Sequence, residues 1–181
     1  METRIGPDHR PLLILDLDET LIRSSLGPPE GPFDYAFPGF HGVRRPHLAP
    51  LLDFASIRFD LAVWSSATPD YVDHVVRNVF PDPARLLFVW GRPRCTLRTD
   101  PETGETYWLK DLKKVRRLGW PLGRIITVDD KPDSYRRHRG NLVRVAPFEG
   151  DPSDTELLRL IPILDWLSQV PDVRKGDTPI L

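Results

Sequence analysis

An apolar segment that runs directly into three acidic residues is the feature that most constrains this chain. The segment LLILDLDETL carries four apolar residues, 12–15, followed closely by Asp16, Asp18 and Glu19. Two like charges about 4 Å apart repel by roughly 4 kcal/mol at an effective dielectric constant near 20. We therefore expect either a positive group among these carboxylates or carboxylates turned outwards into water.

Composition indicates an ordinary globular protein. The 181 residues are 40% hydrophobic and 28% charged, and the net charge of -1 provides no overall field for nucleic acid or an anionic membrane. The lone Cys95 cannot form an internal disulfide, METRIGPDHR lacks a signal-peptide core, and no apolar run approaches the ~20 residues of a membrane span. These features favour a cytoplasmic protein that does not enter a membrane.

Short apolar runs alternate with helical patterns along the chain, which predicts an α/β fold with a doubly wound, mainly parallel sheet. We predict a single domain over residues 1–170 and a polar, loose tail over 171–181. The predicted strands cover 12–15, 59–64, 85–90, 124–128 and 142–146, and the predicted helices cover 47–56, 69–80, 111–119 and 153–168.

Two stretches break the alternation. Residues 22–43 are rich in Gly, Pro and aromatic residues, and residues 91–108 predict a small β-hairpin around PETGE. In the last predicted helix, Ser153 and Glu156 form a capping-box pattern, and Pro162 should kink the helix or end its first segment.

Polar side chains follow three predicted strands, and the carboxyl ends of parallel strands meet at the ligand-binding edge of an open sheet. Carboxylate oxygens are the ligands that Mg²⁺ takes, and the cation would remove the repulsion between them. A hydroxyl and an ammonium group could hold the other oxygens of a phosphoryl group, so this set predicts Mg²⁺-dependent phosphoryl transfer. The residues are Asp16, Asp18, Ser65, Ser66, Asp129 and Asp130, with Lys110 before the helix that leads to the fourth strand.

In this order the motifs resemble those of the haloacid dehalogenase superfamily of phosphatases. The chain is most similar to the branch of the small C-terminal-domain phosphatases and the NLI-interacting-factor-like domain. The resemblance implies a Rossmann-like core without a large cap domain, and therefore an open site that can take a bulky substrate. The matching segments are DLDETL (16–21), RRP (44–46), VWSSA (63–67), LKDL (109–112), VDDKP (128–132) and SDTELLRLIP (153–162), with Arg92 three residues before Cys95.

The resemblance also implies a role for each acidic residue. Asp16 would attack phosphorus to form an aspartyl-phosphate, and Asp18 would act as general acid and then general base. Mg²⁺ would be held by Asp16, the backbone carbonyl of Asp18 and the pair Asp129 and Asp130. Because the second residue of this pair is often Asn in the branch, the direct ligand within the pair stays open.

Phosphate contacts are implied for Ser65, where the family usually has Thr, and for Lys110. Thr20, Ser66 and Arg92 are candidate substrate contacts, although a turn-capping role suits Thr20 better. The predicted hairpin carries Arg92, Arg94 and Arg98. Their charge could protect an exposed edge strand from aggregation, or it could contact the substrate, and the sequence favours neither role over the other.

Three functions are compatible with these residues. A phosphatase acting on phosphoserine or phosphothreonine proteins is the family-level interpretation. A phosphatase acting on nucleic-acid ends or nucleotides is the enzymatic alternative. A receiver-like, non-enzymatic domain that accepts a phosphate is the third, because DDKP (129–132) resembles a receiver motif, although receivers carry their acidic pair before the phospho-accepting Asp.

Overall fold

A computed structural model describes residues 10–27 and 31–175 of the protein. The helices of at least one turn are α1 (Leu48–Arg58), α2 (Pro69–Val79), α3 (Lys113–Arg116) and α4 (Glu156–Gln169). The strands in chain order are β1 (Leu12–Leu15), β2 (Ile22–Leu26), β3 (Tyr35–Phe37), β4 (Phe40–Arg44), β5 (Asp60–Trp64), β6 (Val89–Trp90), β7 (Thr96–Thr99), β8 (Thr106–Leu109), β9 (Ile125–Asp129) and β10 (Leu142–Arg144).

Five parallel strands form the central sheet in the order β10-β9-β1-β5-β6, which confirms the predicted α/β class. β1 lies in the middle, with Leu15 paired to Val63 on β5 and to Val128 on β9. This register brings the carboxyl ends of the three strands together, so the polar residues after them share one edge of the sheet.

Alternate residues of the strands fill two separate cores, as the two-residue side-chain period requires. Leu13 and Leu15 pack with buried residues of α1, α2 and α4 on one face. On the other face, Leu12 and Ile14 pack with Leu112 and with residues of the segment that follows it. β1 is fully buried, and its continuous apolar run is typical of a parallel strand covered on both faces.

Three strands within residues 22–26 and 35–44, for which no regular structure was predicted, form an antiparallel sheet in the order β2-β4-β3, which we call the flap sheet. Tyr35 crosses directly over Gly42, where an added Cβ would lie 2.2 Å from the ring carbon Cζ of Tyr35. Any larger residue at position 42 would therefore displace the Tyr35 ring from its place against β4.

The predicted hairpin is confirmed as β7 and β8, with Thr96 paired to Leu109 and Thr99 to Thr106. Asp100 closes the turn, since its side chain accepts hydrogen bonds from the backbone N–H groups of Glu102 and Thr103. β8 ends one residue before Lys110, so the hairpin leads directly into the polar edge of the sheet.

Several local predictions are corrected. The third strand is reduced to β6, although the backbone of Leu87 still bonds the carbonyl of Leu61 along the sheet edge. The third helix is reduced to the single turn of α3, at whose start Asp111 Oδ1 accepts the N–H of Lys113, and Gly119 with φ 113° follows it. The capping box is wrong, because Asp154 rather than Ser153 accepts the N–H of Glu156.

The ends of the domain also differ from expectation. α4 continues through the exposed Pro162, so the proline does not end the helix, and the kink stays a prediction. Val173, placed in the predicted loose tail, is buried, and its N–H donates to the carbonyl of Gly123. Residues 176–181 lie outside the described part of the chain, so the boundary at residue 170 stays a prediction. Across the described residues, no helix has the length and apolarity needed to cross a bilayer.

Candidate active site

The site begins where β1 ends. The N–H of Asp16 continues the ladder to the carbonyl of Val128, so Asp16 is held rigidly beside β9. The chain then turns sharply, with Glu19 at φ 58° in the left-handed region and the N–H groups of Leu21 and Ile22 both bonded to the carbonyl of Leu17. This turn separates the side chains of Asp16 and Asp18 and sends them into different surroundings.

Three buried carboxylates meet at the sheet edge. Asp16, Asp129 and Asp130 each place an oxygen within 4.8 Å of the others. Lys110, also buried, donates from Nζ to Asp16 Oδ1 at 2.8 Å and to Asp129 Oδ2 at 2.6 Å. The lysine is the positive group that the sequence required, but a single ammonium does not balance the three carboxylates.

Burial and neighbouring charges shift the pKa values of the groups in this cluster. Burial and the charge of Asp16 raise the pKa of Asp129 to about 7, against the opposing effect of Lys110. Burial also raises the pKa of Asp130. Burial would lower the pKa of Lys110, but the charges of Asp129 and Asp16 outweigh it and hold the pKa well above its ordinary value.

Asp18 occupies a separate environment. Its Oδ1 accepts a hydrogen bond from the hydroxyl of Tyr71 on α2 at 2.5 Å. Burial raises the pKa of Asp18 to about 6, reinforced by the charges of Asp16 and Glu19 and opposed by the Tyr71 hydrogen bond and by Lys131. A carboxyl with this pKa can hold a proton near neutrality and give it up again, as a general acid and base must.

The two serines after β5 lie in different positions. Ser65 is buried, and its Oγ accepts the N–H of Ala67 at 3.0 Å, which leaves the hydroxyl proton to be donated. Ser66 is half-buried, and its carbonyl accepts a 2.8 Å hydrogen bond from Arg92 Nε. Ser65 is therefore buried directly after β5, the strand paired to β1, and Ser66 is tied to the segment before the hairpin.

Thr20 is fully buried, and its hydroxyl donates to Asp130 Oδ1 at 3.3 Å. Thr20 therefore lies against a carboxylate of the cluster. This position suits a structural role better than a contact with the substrate. Lys131 pairs with Glu19 at 2.8 Å, so the third acid of the opening motif is neutralised outside the cluster.

Arg45 carries a supporting role that sequence reasoning did not assign. Its guanidinium is fully buried, donates to both carboxylate oxygens of Asp154 at 2.9 and 2.8 Å, and donates to the carbonyl of Thr20 at 3.0 Å. The ion pair therefore anchors the turn between β1 and β2 to the start of α4. Arg45 and Asp154 both lie in family motifs, but they are 109 residues apart.

The arginines near the hairpin lie on aromatic rings. The guanidinium of Arg92 is 5.5 Å from the ring centre of Trp108, and that of Arg94 is 4.9 Å from the ring centre of Trp90. Both arginines are exposed, so these cation–π contacts order positive charge at the surface beside Ser66.

The residues of the cluster fit a hard divalent cation. Three carboxylate oxygens within 4.8 Å match the oxygen-only ligand set that Mg²⁺ prefers.

A family model described as NLI interacting factor-like phosphatase matches residues 11–174. The chain belongs to this phosphatase family. The match covers every predicted site residue, from Asp16 to Asp130, and confirms the resemblance that the motifs carried.

Relatives and a solved structure agree. CTD nuclear envelope phosphatase 1B of Danio rerio is 33% identical over 186 residues, covering 94% of this chain and 72% of that protein. Carboxy-terminal domain RNA polymerase II polypeptide A small phosphatase 1 of Homo sapiens is 33% identical over 181 residues, covering 95% of this chain and 65% of that protein. The structure of Fcp1, an RNA polymerase II CTD phosphatase, aligns with a TM-score of 0.56 at 21% identity over 94% of this chain and 51% of that chain, and it confirms the fold.

The predicted cytoplasmic localisation is wrong, since a relative that matches nearly the whole chain is named for the nuclear envelope. The reason is physical: a lone, buried cysteine indicates a reducing environment without distinguishing one reducing location from another.

Proposed function

We propose that this protein is a Mg²⁺-dependent phosphatase that hydrolyses phosphoserine or phosphothreonine in a protein substrate through an aspartyl-phosphate on Asp16. The observation that carries the proposal is the arrangement of Lys110 between Asp16 and Asp129, with Asp18 in a separate environment. This arrangement supplies a nucleophile, a phosphate-binding cation and a general acid at one edge of the sheet.

In the first step, a carboxylate oxygen of Asp16 attacks phosphorus in line with the leaving alcohol, and the bond from phosphorus to the seryl or threonyl oxygen breaks. Asp18, protonated at that moment, gives its proton to the leaving oxygen. In the second step, ionised Asp18 takes a proton from water, the resulting oxygen attacks phosphorus, and the bond to Asp16 breaks. Phosphate leaves, and Asp16 is again a free carboxylate.

Lys110 and Ser65 hold the phosphoryl oxygens. The ammonium already lies 2.8 Å from the attacking carboxylate, and the Ser65 hydroxyl has a proton free to donate, because its oxygen is fixed by the N–H of Ala67. Both groups are buried, so they act on the developing charge where water screens it little.

Asp16, the backbone carbonyl of Asp18 and Asp130 would hold the cation. We assign the direct ligand of the pair to Asp130, because both oxygens of Asp129 are already engaged, one by Lys110 and one by the N–H of Lys131. When bound, Mg²⁺ would neutralise the phosphoryl oxygens and the carboxylates that surround them.

A protein substrate is favoured by the two relatives, both named as phosphatases of a carboxy-terminal domain or of the nuclear envelope. Among the described residues, the two sheets besides the central one are the small flap sheet and the two-stranded hairpin, and neither has the size of a large cap domain. Leu26 and Phe33, on and beside the flap sheet, are 75% and 47% exposed, and apolar surface of this kind can contact a peptide on either side of its phosphorylated residue.

The nucleophile is tested by Asp16→Asn, which keeps the side-chain shape but removes the attacking charge. Phosphate release from a phosphoserine peptide should fall to background while the folded state persists. Asp53→Asn, at an exposed position on α1, is the matched control and should retain activity. Substantial turnover by folded Asp16→Asn would refute the covalent route.

Metal dependence is tested with the wild-type protein alone. Excess chelator should abolish turnover, Mg²⁺ should restore it, and Ca²⁺ should not, because its looser coordination spoils the in-line geometry. Full turnover in excess chelator would refute the metal assignment.

Substrate class is tested by comparing phosphoserine and phosphothreonine peptides with 3′- and 5′-phosphorylated oligonucleotides, nucleotides and small phosphomonoesters. The highest kcat/KM should belong to a peptide, with little loss as salt rises. Preference for an oligonucleotide, with steep loss in salt, would support the nucleic-acid alternative. Uptake of one phosphate per chain without sustained release would support the receiver-like switch.

A further inference from the structure

Tyr71 is a buried residue of α2, and its hydroxyl contacts the candidate general acid. The phenolic oxygen is 2.5 Å from Asp18 Oδ1 and 2.5 Å from Ser24 Oγ on β2. A phenol has one proton, so both short contacts are satisfied together when Tyr71 donates to the carboxylate and accepts from the serine.

The ring of Tyr71 is held on several sides. It is buried on α2, and the rings of Phe37 and Phe40 from the flap sheet lie with their centres 6.2 and 5.5 Å away. Close packing of this kind leaves the hydroxyl little freedom to turn away from Asp18. The hydroxyl therefore joins α2, the flap sheet and the catalytic turn at one point.

The hydrogen bond distinguishes the two oxygens of Asp18. Oδ1 accepts the phenolic proton, so the proton of the neutral acid belongs on Oδ2. Free rotation of the carboxyl would put the proton on the wrong side half of the time, and the contact with Tyr71 prevents this. The sequence contains the residue, but its hydroxyl could not be assigned without the geometry.

We infer that Tyr71 is a positioning residue for the general acid: it holds Asp18 so that the proton on Oδ2 faces the leaving oxygen. This inference rests on the proposed function, because the role of Asp18 is part of that proposal. It also makes acid catalysis depend on the docking of the flap sheet, since Ser24, Phe37 and Phe40 hold the hydroxyl in place.

Dependence on the leaving group isolates this role. An alkyl alcohol needs a proton as it leaves, whereas an aryl oxide with electron-withdrawing substituents leaves without one. The parameter to measure is kcat/KM, because it covers only the steps up to departure of the leaving group and so excludes hydrolysis of the aspartyl-phosphate.

The decisive variant is Tyr71→Phe, which keeps the packed ring and deletes the hydroxyl. We expect kcat/KM to fall about tenfold on alkyl phosphates, part of the ~10²–10⁴-fold that a general acid supplies. The loss should shrink steadily along a series of aryl phosphates as the leaving group improves. Tyr35→Phe is the matched control, because it deletes a flap hydroxyl that lies 3.4 Å from Ser24 Oγ, and it should cause a small and uniform change.

Three results would overturn the inference. Equal losses by Tyr71→Phe on alkyl and activated aryl phosphates would assign the residue to packing alone, and no loss would show that the hydroxyl is idle. A wild-type protein inactive on every phosphomonoester would instead refute the proposed function itself. If Tyr71→Phe does not fold, Ser24→Ala removes the other partner of the hydroxyl and must show the same dependence on the leaving group.

Discussion

The buried ion pair between Arg45 and Asp154 allows a quantitative prediction: Asp154→Ala should lower the free energy of unfolding by about 3–4 kcal/mol. The Arg45 side chain is 0% exposed and that of Asp154 is 16% exposed, so the variant leaves an uncompensated buried charge. Removing one member of such a pair costs about 3–5 kcal/mol, and the partial exposure of Asp154 favours the lower end. Loss of the bond to the N–H of Glu156, the first residue of α4, adds about 0.5–1 kcal/mol.

Urea unfolding followed by circular dichroism measures this change. For a domain of this size, the same loss should lower the thermal midpoint by about 6–16 °C. Asp151→Ala is the matched control, because Asp151 is an exposed acid in the same loop that bonds Ser153 rather than Arg45, and its loss should cost no more than about 1 kcal/mol. A loss below about 1 kcal/mol for Asp154→Ala would refute the reasoning.

A double variant separates the unpaired charge from the lost contact. Arg45→Met combined with Asp154→Leu removes both charges and keeps similar volumes, so it should be more stable than Asp154→Ala alone. If the double variant is less stable than the single one, the ion pair itself, and not the orphaned guanidinium, stabilises the fold.

The stability difference should also depend on pH. Burial opposes ionisation of Asp154, but hydrogen bonds from Arg45 and from the N–H of Glu156 outweigh it and lower the pKa. A carboxyl with a lowered folded pKa stabilises the native state above its ordinary pKa, and this contribution is lost as pH falls through the folded pKa. The difference in free energy of unfolding between the wild type and Asp154→Ala should therefore be largest at neutral pH and should shrink below about pH 4.

Three further predictions concern the site. Because Asp18 must be protonated to donate and its pKa is raised to about 6, kcat/KM on an alkyl phosphate should fall as pH rises above that value, and a flat profile would contradict the assignment. Thr20→Val deletes the hydroxyl that donates to Asp130 and should raise the Mg²⁺ concentration for half-maximal activity about tenfold, whereas an unchanged requirement would argue against Asp130 as a ligand. Arg92→Ala should raise KM for a phosphopeptide while barely changing turnover of a small aryl phosphate, with Arg98→Ala on β7 as control, and equal losses on both substrates would place Arg92 in the catalytic machinery or the fold.

The central sheet could be predicted because its strands are buried on both faces. Continuous apolar runs such as Leu12 to Leu15 have no alternative to the core, and polar residues directly after them must lie at the sheet edge. The flap sheet could not be predicted in the same way. Its strands are three to five residues long and partly exposed, so residues 22–44 show neither a helical nor a strand period.

The site was predictable in its residue types but not in its pairings. Arg45 and Asp154 lie in family motifs. However, the sequence does not predict that these two residues, 109 positions apart, form an ion pair. Tyr71 shows the opposite limit, because its helical spacing correctly places the ring in the core and hides the hydroxyl that reaches Asp18. The repeat of apolar residues along a sequence predicts which face of a helix or strand is buried. It does not predict where a polar atom at the end of a buried side chain is directed.

The three acids of the opening motif, Asp16, Asp18 and Glu19, can lie close together because each carboxylate contacts a different partner. Asp16 faces Lys110, Glu19 faces Lys131, and Asp18 has a tyrosine hydroxyl and no ammonium within hydrogen-bond reach among the described residues. Burial, reinforced by the charges of Asp16 and Glu19, raises the pKa of Asp18 to about 6, so this carboxyl can carry a proton near neutrality. The proposed division of labour between two aspartates two residues apart therefore follows from their different surroundings, which the sharp turn at Glu19 makes possible.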